Sequence, residues 1–316
     1  MKIIVLDRDS LGVDTPLSVL DKFGEVISYP SSNKEEVIAR IKDADVIVIN
    51  KVKITEDIMS QANHLKLICV FATGFDNIDI VAAKKYGIGV CNVPGYSTDS
   101  VAMYTVATVL ALCSHLIEYN NFVQSGEYSK SGVPNRLVPV YHDIRGKKWG
   151  IIGYGNIGRA VADVARAFGA EIMVYKRSAV DGINITDIDT LCRESDIITI
   201  HCPLNQDSYH LINDGRISLM KNDVVIVNEA RGAVVDENAI AEAVKNGTIG
   251  SFGCDVFTTE PFGEDHPFYS IKDMPNVLLT PHAAWGSYES RARCIGIIAE
   301  NITSFLKGET LNRVDK

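Results

Sequence analysis

The sequence predicts an α/β protein whose parallel sheets are divided between two domains. Three observations lead there. Strand and helix patterns alternate through the first hundred residues, which implies a parallel sheet. Near the middle of the chain a short apolar run meets a glycine-rich turn and then a helical stretch, the parts of a dinucleotide-binding unit. At 316 residues the chain is long enough for two cores rather than one.

The elements follow in order. Residues 2–7, 45–50, 65–71 and 89–93 are largely apolar runs with the length of strands, and 35–42, 54–62 and 78–86 read as helices between them. The run 65–71 enters Ala72-Thr73-Gly74-Phe75-Asp76-Asn77 and then a helix. This is a weaker copy of the central glycine unit, with one glycine in place of three, and it reads as a substrate-side loop. A long helix is expected from Thr98 to about Tyr119, carrying Val101, Ala102, Met103, Val106, Val109, Leu110 and Leu112. A polar, irregular stretch with Pro134 and Pro139 fills 120–146. The strand 148–152 then leads into Gly153-Tyr154-Gly155-Asn156-Ile157-Gly158, a helix closed by Gly169, and a strand 171–175. Here Gly153 permits the tight turn, Gly155 lets a pyrophosphate approach the backbone, and Gly158 lets the helix pack closely. Further β-α units continue to Pro281. The last helix, about 285–306, is too long to cap one strand and is expected to return to the first domain. The expected division is 1–98 plus 287–316 for a substrate domain and 99–286 for a dinucleotide domain.

Composition narrows the function. A net charge of −9 argues against a nucleic-acid surface, and an anionic substrate must be met by local positive charge. No apolar run approaches the roughly 20 residues that span a bilayer. The N-terminus opens on a strand without a signal-peptide pattern, so a cytoplasmic location is expected. The seven cysteines are scattered without a C-x-x-C pair and read as small buried hydrophobes; no metal site is expected.

Three segments carry chemistry. Arg231-Gly232, Thr259-Glu260-Pro261 and Pro281-His282 each follow a strand-like run, at 224–228, 253–257 and 277–280. In an open parallel sheet, ligands bind outside the carboxyl ends of the strands. Taken singly, Glu260 is a turn residue before proline, Arg231 a solvated loop charge and His282 a structural histidine. Their shared placement favours convergence. Arginine clamps a carboxylate, histidine moves a proton near neutral pH, and glutamate fixes which ring nitrogen carries it. The set suits acid/base chemistry on a small carboxylic acid. The other histidines (64, 115, 142, 201, 210 and 266) show no ligand spacing and receive no role.

The end of the strand 171–175 bears on the cofactor. An NAD site ordinarily has a carboxylate there for the ribose 2′-hydroxyl. This chain has Lys176-Arg177-Ser178, which suits a 2′-phosphate and favours NADP; NAD is the alternative, with both cations merely solvated.

With these residues in view, the chain resembles the D-isomer specific 2-hydroxyacid dehydrogenases over essentially its whole length. The resemblance rests on residues 72–79, the glycine motif, His201-Cys202-Pro203-Leu204, Asn228-Glu229-Ala230-Arg231-Gly232, Asp255-Val256-Phe257 with Glu260-Pro261, and Pro281-His282. It implies two Rossmann-like domains, the smaller built from both chain ends, with the active site in a cleft between them. It implies Arg231, Glu260 and His282 as the catalytic trio. Thr73 would contact the cofactor, and Asn156 and Ile157 would offer backbone to the pyrophosphate. Cys202 and Glu229 would line the nicotinamide side, and Asp255 would hold the carboxamide. Hydride would pass to the carbonyl carbon of a 2-oxo acid while His282, kept charged by Glu260, protonates the oxygen and Arg231 holds the carboxylate. Thr73 and Gly74 would hold the carboxylate's other end, and Lys51 and Trp285, with Phe75, would line the substrate pocket. The motifs look most like the glycerate dehydrogenase (hydroxypyruvate reductase) branch. The alternatives are a reductase for branched or aromatic acids and a nucleotide-sensing, corepressor-like binding protein. The resemblance also implies a homodimer formed through 119–143.

Overall fold

A computed structural model describes residues 1–178 and 182–316. The chain divides into two compact units, Met1–Ser97 with Gly286–Lys316, and Thr98–Trp285.

The first unit holds a five-stranded parallel sheet. Its strands are β1 Lys2–Val5, β2 Glu25–Ser28, β3 Val46–Ile49, β4 Leu67–Val70 and β5 Gly89–Cys91, in spatial order β2-β1-β3-β4-β5. The central strands are buried on both faces, which is why β3 and β4 read as unbroken apolar runs. Their cores include Ile4, Ile47, Ile49, Ile68 and Val90. The strand order reverses between β1 and β3. There Asp7, just past β1, accepts hydrogen bonds from the backbone N–H groups of Asn50, Lys51 and Val52. Asn77 then donates to the Asn50 and Val52 carbonyls and joins the loop after β4 to the loop after β3. The helix Tyr288–Leu306 belongs to this unit, and its Asn301 donates to the carbonyl of Asn92.

The second unit holds six parallel strands. They are β6 Lys148–Ile152, β7 Glu171–Tyr175, β8 Ile197–Ile200, β9 Val225–Asn228, β10 Ser251–Cys254 and β11 Val277–Leu279, in spatial order β11-β10-β9-β8-β6-β7. Two apolar layers cover its faces, one around Ile198, Ile226, Ile240 and Phe252, the other around Trp149, Val161, Val227 and Val109. Trp149 is fully buried and its indole N–H finds Thr199 Oγ1 at 3.1 Å, so no donor is stranded. The order reverses between β6 and β8, the place where this architecture opens a ligand crevice.

Four local differences from the sequence reading have physical causes. β2 escapes the pattern because it is an edge strand with only Val26 and Ile27 half-buried. The expected helix from Thr98 to Tyr119 breaks: Thr98–Cys113 ends, His115 takes a left-handed φ of 51°, and Leu116–Gln124 continues at a bend of 66°. The supposedly irregular 120–146 accordingly holds the end of that second helix and a short helix Glu127–Ser131. β10 lies two residues earlier than the expected 253–257, so Asp255 falls just beyond the strand, where its carboxylate is free to serve the loop after β11.

Candidate active site

Arg231, Glu260 and His282 stand just beyond the carboxyl ends of β9, β10 and β11, three adjacent strands of the second unit. The buried Asn228 side chain shapes the first loop, accepting from Ala230 N and donating to the Arg231 carbonyl. Arg231 Nη1 donates to the Ala230 carbonyl at 2.8 Å. Gly232 follows because nothing larger fits: a Cβ there would overlap the Phe257 carbonyl carbon. The loop bearing Arg231 is thereby pressed onto the loop bearing Glu260.

Glu260 is held twice. Its Oε1 accepts from Phe257 N at 3.0 Å, and its Oε2 lies 2.7 Å from His282 Nδ1. An ionised carboxylate can only accept, so it selects the Nδ1–H form and leaves Nε2 to exchange a proton. Both side chains are about a quarter exposed, at 26% for His282 and 28% for Glu260. His282 occupies a left-handed φ of 54°, an unfavourable conformation that needs outside support. Asp255 supplies it. The buried carboxylate accepts from Thr280 Oγ1, Ala283 N and Ala284 N, gripping the chain on both sides of the histidine.

Two positioning residues were invisible in the sequence. Glu237 opens the helix Glu237–Lys245 and accepts from both the backbone N–H and the hydroxyl of Thr258, two residues before Glu260. Buried His266 places Nε2 3.0 Å from Glu237 Oε2, off hydrogen-bond geometry, and stacks on Phe262. In the sequence Glu237 is one acidic residue in a first helical turn, and His266 has no ligand spacing to mark it.

A cavity of about 260 Å³ opens at the reversal between β6 and β8. Gly153 and Gly155 line it together with Tyr175, Lys176, Arg177, Ser178, Cys202 and others. Gly153 has φ +93°, and a Cβ on it would come within 2.6 Å of Cys202 N. Gly158 is equally constrained, since its Cβ would strike the Gly153 carbonyl oxygen. Gly155 has open space where a Cβ would stand, and it gives the helix Asn156–Ala167 no side-chain cap. The first N–H groups of that helix, on Asn156 and Ile157, are thus left for an anion. Burial pushes the Cys202 thiol up to about 11 and draws the His201 imidazole down to about 3, so both are neutral around this cavity. A carboxylate does reach the pocket, from a loop the strand end did not reveal: Asp207 lines it and pairs with Arg177, both largely exposed.

The remaining candidates are divided between the two units. In the first unit, Lys51 stands exposed after β3. Thr73, after β4, donates its hydroxyl to the Val93 carbonyl while its own carbonyl accepts from Asn92, and Gly74 follows it. In the second, Trp285 is half-buried at its end, and Glu229 is buried with Oε1 accepting from Thr108 Oγ1 at 3.1 Å.

A glycine cradle at a strand-order reversal, with an acid/base pair at the same edge of the sheet, defines a nicotinamide-dependent oxidoreductase of the Rossmann class. Residues 106–284 match the model of the D-isomer specific 2-hydroxyacid dehydrogenase NAD-binding domain. The chain is 35% identical to a hydroxypyruvate reductase of Blautia hydrogenotrophica, with all of both chains covered. Among solved structures it resembles an acyclic imino acid reductase in complex with NADPH and D-Arg (TM-score 0.86, 32% identity, 99% of this chain and 100% of that one). It also resembles the D-lactate dehydrogenase of Aquifex aeolicus in complex with NAD and lactic acid (TM-score 0.86, 29% identity, 100% and 99% covered). The protein belongs to the D-isomer specific 2-hydroxyacid dehydrogenases and is a 2-oxo acid reductase of that family. Among the described residues, no single helix is long and apolar enough to cross a membrane.

Proposed function

We propose that the protein reduces small 2-oxo acids, hydroxypyruvate and glyoxylate first, to D-2-hydroxy acids, with NADPH preferred over NADH. The observation that carries the reading is the 2.7 Å His282–Glu260 pair, with the loop bearing Arg231 packed against the loop bearing Glu260. Gly153, Gly155 and the N–H groups of Asn156 and Ile157 would hold the pyrophosphate, Lys176, Arg177 and Ser178 the 2′-phosphate, and Asp255 and the Cys202 and Glu229 backbone the nicotinamide end. When bound, the reduced nicotinamide supplies the hydride.

The protein's own residues do the rest. Arg231 binds the substrate carboxylate through its planar guanidinium. His282 delivers a proton from Nε2 to the carbonyl oxygen as negative charge develops there, and Glu260 holds Nδ1–H so that the ring stays oriented. Lys51 would bond the terminal hydroxyl of hydroxypyruvate, and Phe75 and Trp285 would limit chain length. A site that bonds a substrate hydroxyl rejects an analogue lacking it. The hydroxypyruvate reductase that is 35% identical supports the substrate choice. For the cofactor, the exposed Arg177–Asp207 pair is weakly held, so a phosphate can displace the carboxylate.

A homodimer and a cytoplasmic location belong to the same reading. Leu137, Val138 and Val140 are 73%, 66% and 66% exposed, and Val123 and Tyr141 each 54%, an apolar run that a second copy would cover. Light scattering should give twice the 34.6 kDa chain mass.

The test is kcat/KM for hydroxypyruvate, glyoxylate, 2-oxoisocaproate and phenylpyruvate with each cofactor, for the unmodified protein and for His282→Asn and Arg177→Asp. The first two acids should lead, with NADPH ahead; His282→Asn should lower kcat by roughly 10²–10⁴-fold, and Arg177→Asp should narrow or reverse the cofactor ratio. Preference for branched or aromatic acids moves the protein to the hydroxyisocaproate type, and a tenfold preference for NADH removes the phosphate reading.

A further inference from the structure

One carboxyl group beside the active-site loops takes no part in the mechanism above. Glu229 follows β9, two residues before Arg231, and is only 9% exposed. Its Oε1 accepts from Thr108 Oγ1 of the helix Thr98–Cys113, and its Oε2 is buried without a hydrogen-bond partner. Thr108 is brought to it by Gly253 on β10, where a Cβ would lie 2.5 Å from Thr108 Cγ2. Thr108 therefore meets this edge of the sheet twice: methyl on Gly253, hydroxyl on Glu229. The neighbouring titratable groups are both on the β10 side. They are the Asp255 carboxylate and the Cys254 thiol, the latter held well above its ordinary value by burial.

We propose that Glu229 is a positioning residue that works as the neutral carboxylic acid, packed between Thr108 and Asp255, and that its ionisation loosens the loops carrying Arg231 and His282. A buried oxygen with no donor facing it is poorly suited to carry charge, and the protonated form carries none. Burial first, and repulsion from Asp255 second, push this carboxyl up to about 8, against the smaller opposing effect of the Thr108 hydroxyl. Asp255 is the group that grips both sides of His282. A second negative charge beside it would repel the Asp255 carboxylate and strain the contacts it makes on both sides of the histidine.

The folded protein holds the Glu229 proton up to about 8, whereas an unfolded chain loses it near the ordinary glutamate value of about 4.3. The stability this proton carries is complete below the lower value, falls as pH rises, and is lost above the higher one. The first measurement is Tm against pH, over roughly pH 5 to 9, for the unmodified protein, Glu229→Gln and Thr108→Val. The unmodified protein should lose Tm relative to Glu229→Gln as pH rises, with the gap levelling above about 8. Thr108→Val removes a donor that favours the anion, so its inflection should move to higher pH. The second measurement is infrared: a protonated-carboxyl carbonyl band should be present at neutral pH, fade through the same inflection, and be missing in Glu229→Gln. Parallel Tm curves for the unmodified protein and Glu229→Gln, or no such band, overturn the proposal.

The link to the loops is read in the direction of 2-hydroxy acid oxidation, where His282 takes up the proton, and comparison with Glu229→Gln isolates the effect of the Glu229 carboxyl. There kcat should decline through the inflection in the unmodified protein and not in Glu229→Gln; an identical decline in both overturns the positioning role. This arm rests on the proposed function. If no 2-hydroxy acid is oxidised, that reading falls, and the Tm and infrared results still decide the state of Glu229.

Discussion

The turns after β4 and β6 start from the same plan and end differently. Each leaves a buried parallel strand, passes through glycine and enters a helix. After β6 the helix Asn156–Ala167 begins at Gly155, which offers no cap, beside a cavity. After β4 the helix Ile80–Lys85 begins at Asp79, whose side chain accepts from Ala82 N. One helix start is bare and suited to an anion; the other is already answered by a carboxylate that would repel one. A strand–turn–helix unit thus becomes a phosphate site through what it omits at the cap. On the proposed reading, the β4 turn offers a ligand the backbone of Thr73 and Gly74, earlier in the loop.

The largest effect should come from closing the bare turn. Gly153→Ala combines a φ of +93° with a Cβ 2.6 Å from Cys202 N, so loss of about 2–4 kcal/mol of stability and of cofactor binding is expected, read by urea unfolding and by cofactor titration. Retained binding would mean the cradle is not where the dinucleotide sits. Next comes an exchange of character. Gly155→Asp has room for its side chain and an extended φ of −87°, so it should cap the helix as Asp79 does. Tm should hold or rise while cofactor affinity falls by roughly 100-fold, close to 3 kcal/mol of lost anion binding and added repulsion. A fall in both would show that the turn was damaged rather than capped. The smallest effect belongs to Asp79→Ala: about 1 kcal/mol of stability, with the dissociation constant of the cofactor unmoved.

Much of this was legible because strong local chemistry coincided with buried strands. β3, β4, β8 and β9 are largely apolar runs, Gly153 and Gly158 each stand where space or φ requires glycine, and Gly155 leaves the helix start without a side-chain cap. Arg231, Glu260 and His282 could be placed because each lies in the loop that follows a strand. What stayed hidden depends on contacts between distant segments. Asp207 reaches Arg177 across 30 positions, and Thr108 reaches Glu229 across 121. His115 breaks a helix whose composition favours continuity, since Leu112, Leu116 and Ile117 are all apolar and nothing local marks the left-handed residue. β2 offers two half-buried side chains, too few to form a pattern.

The contact at Gly232 has a mechanical consequence. No side chain separates the Arg231 loop from Phe257 and Thr258, so on the proposed reading the group that would grip the substrate and the group that would aim the proton donor are built into one piece. Glu237 pins that piece to the helix Glu237–Lys245 through Thr258, and Asp255 pins the histidine at its far side. Such a part tolerates little independent tuning: shifting the anchor for a larger acid would misdirect the acid/base pair as well. On the proposed reading, a lineage exploring new substrates on this scaffold would leave the anvil fixed and reshape the loops after β3 and β4, around Lys51, Thr73 and Phe75.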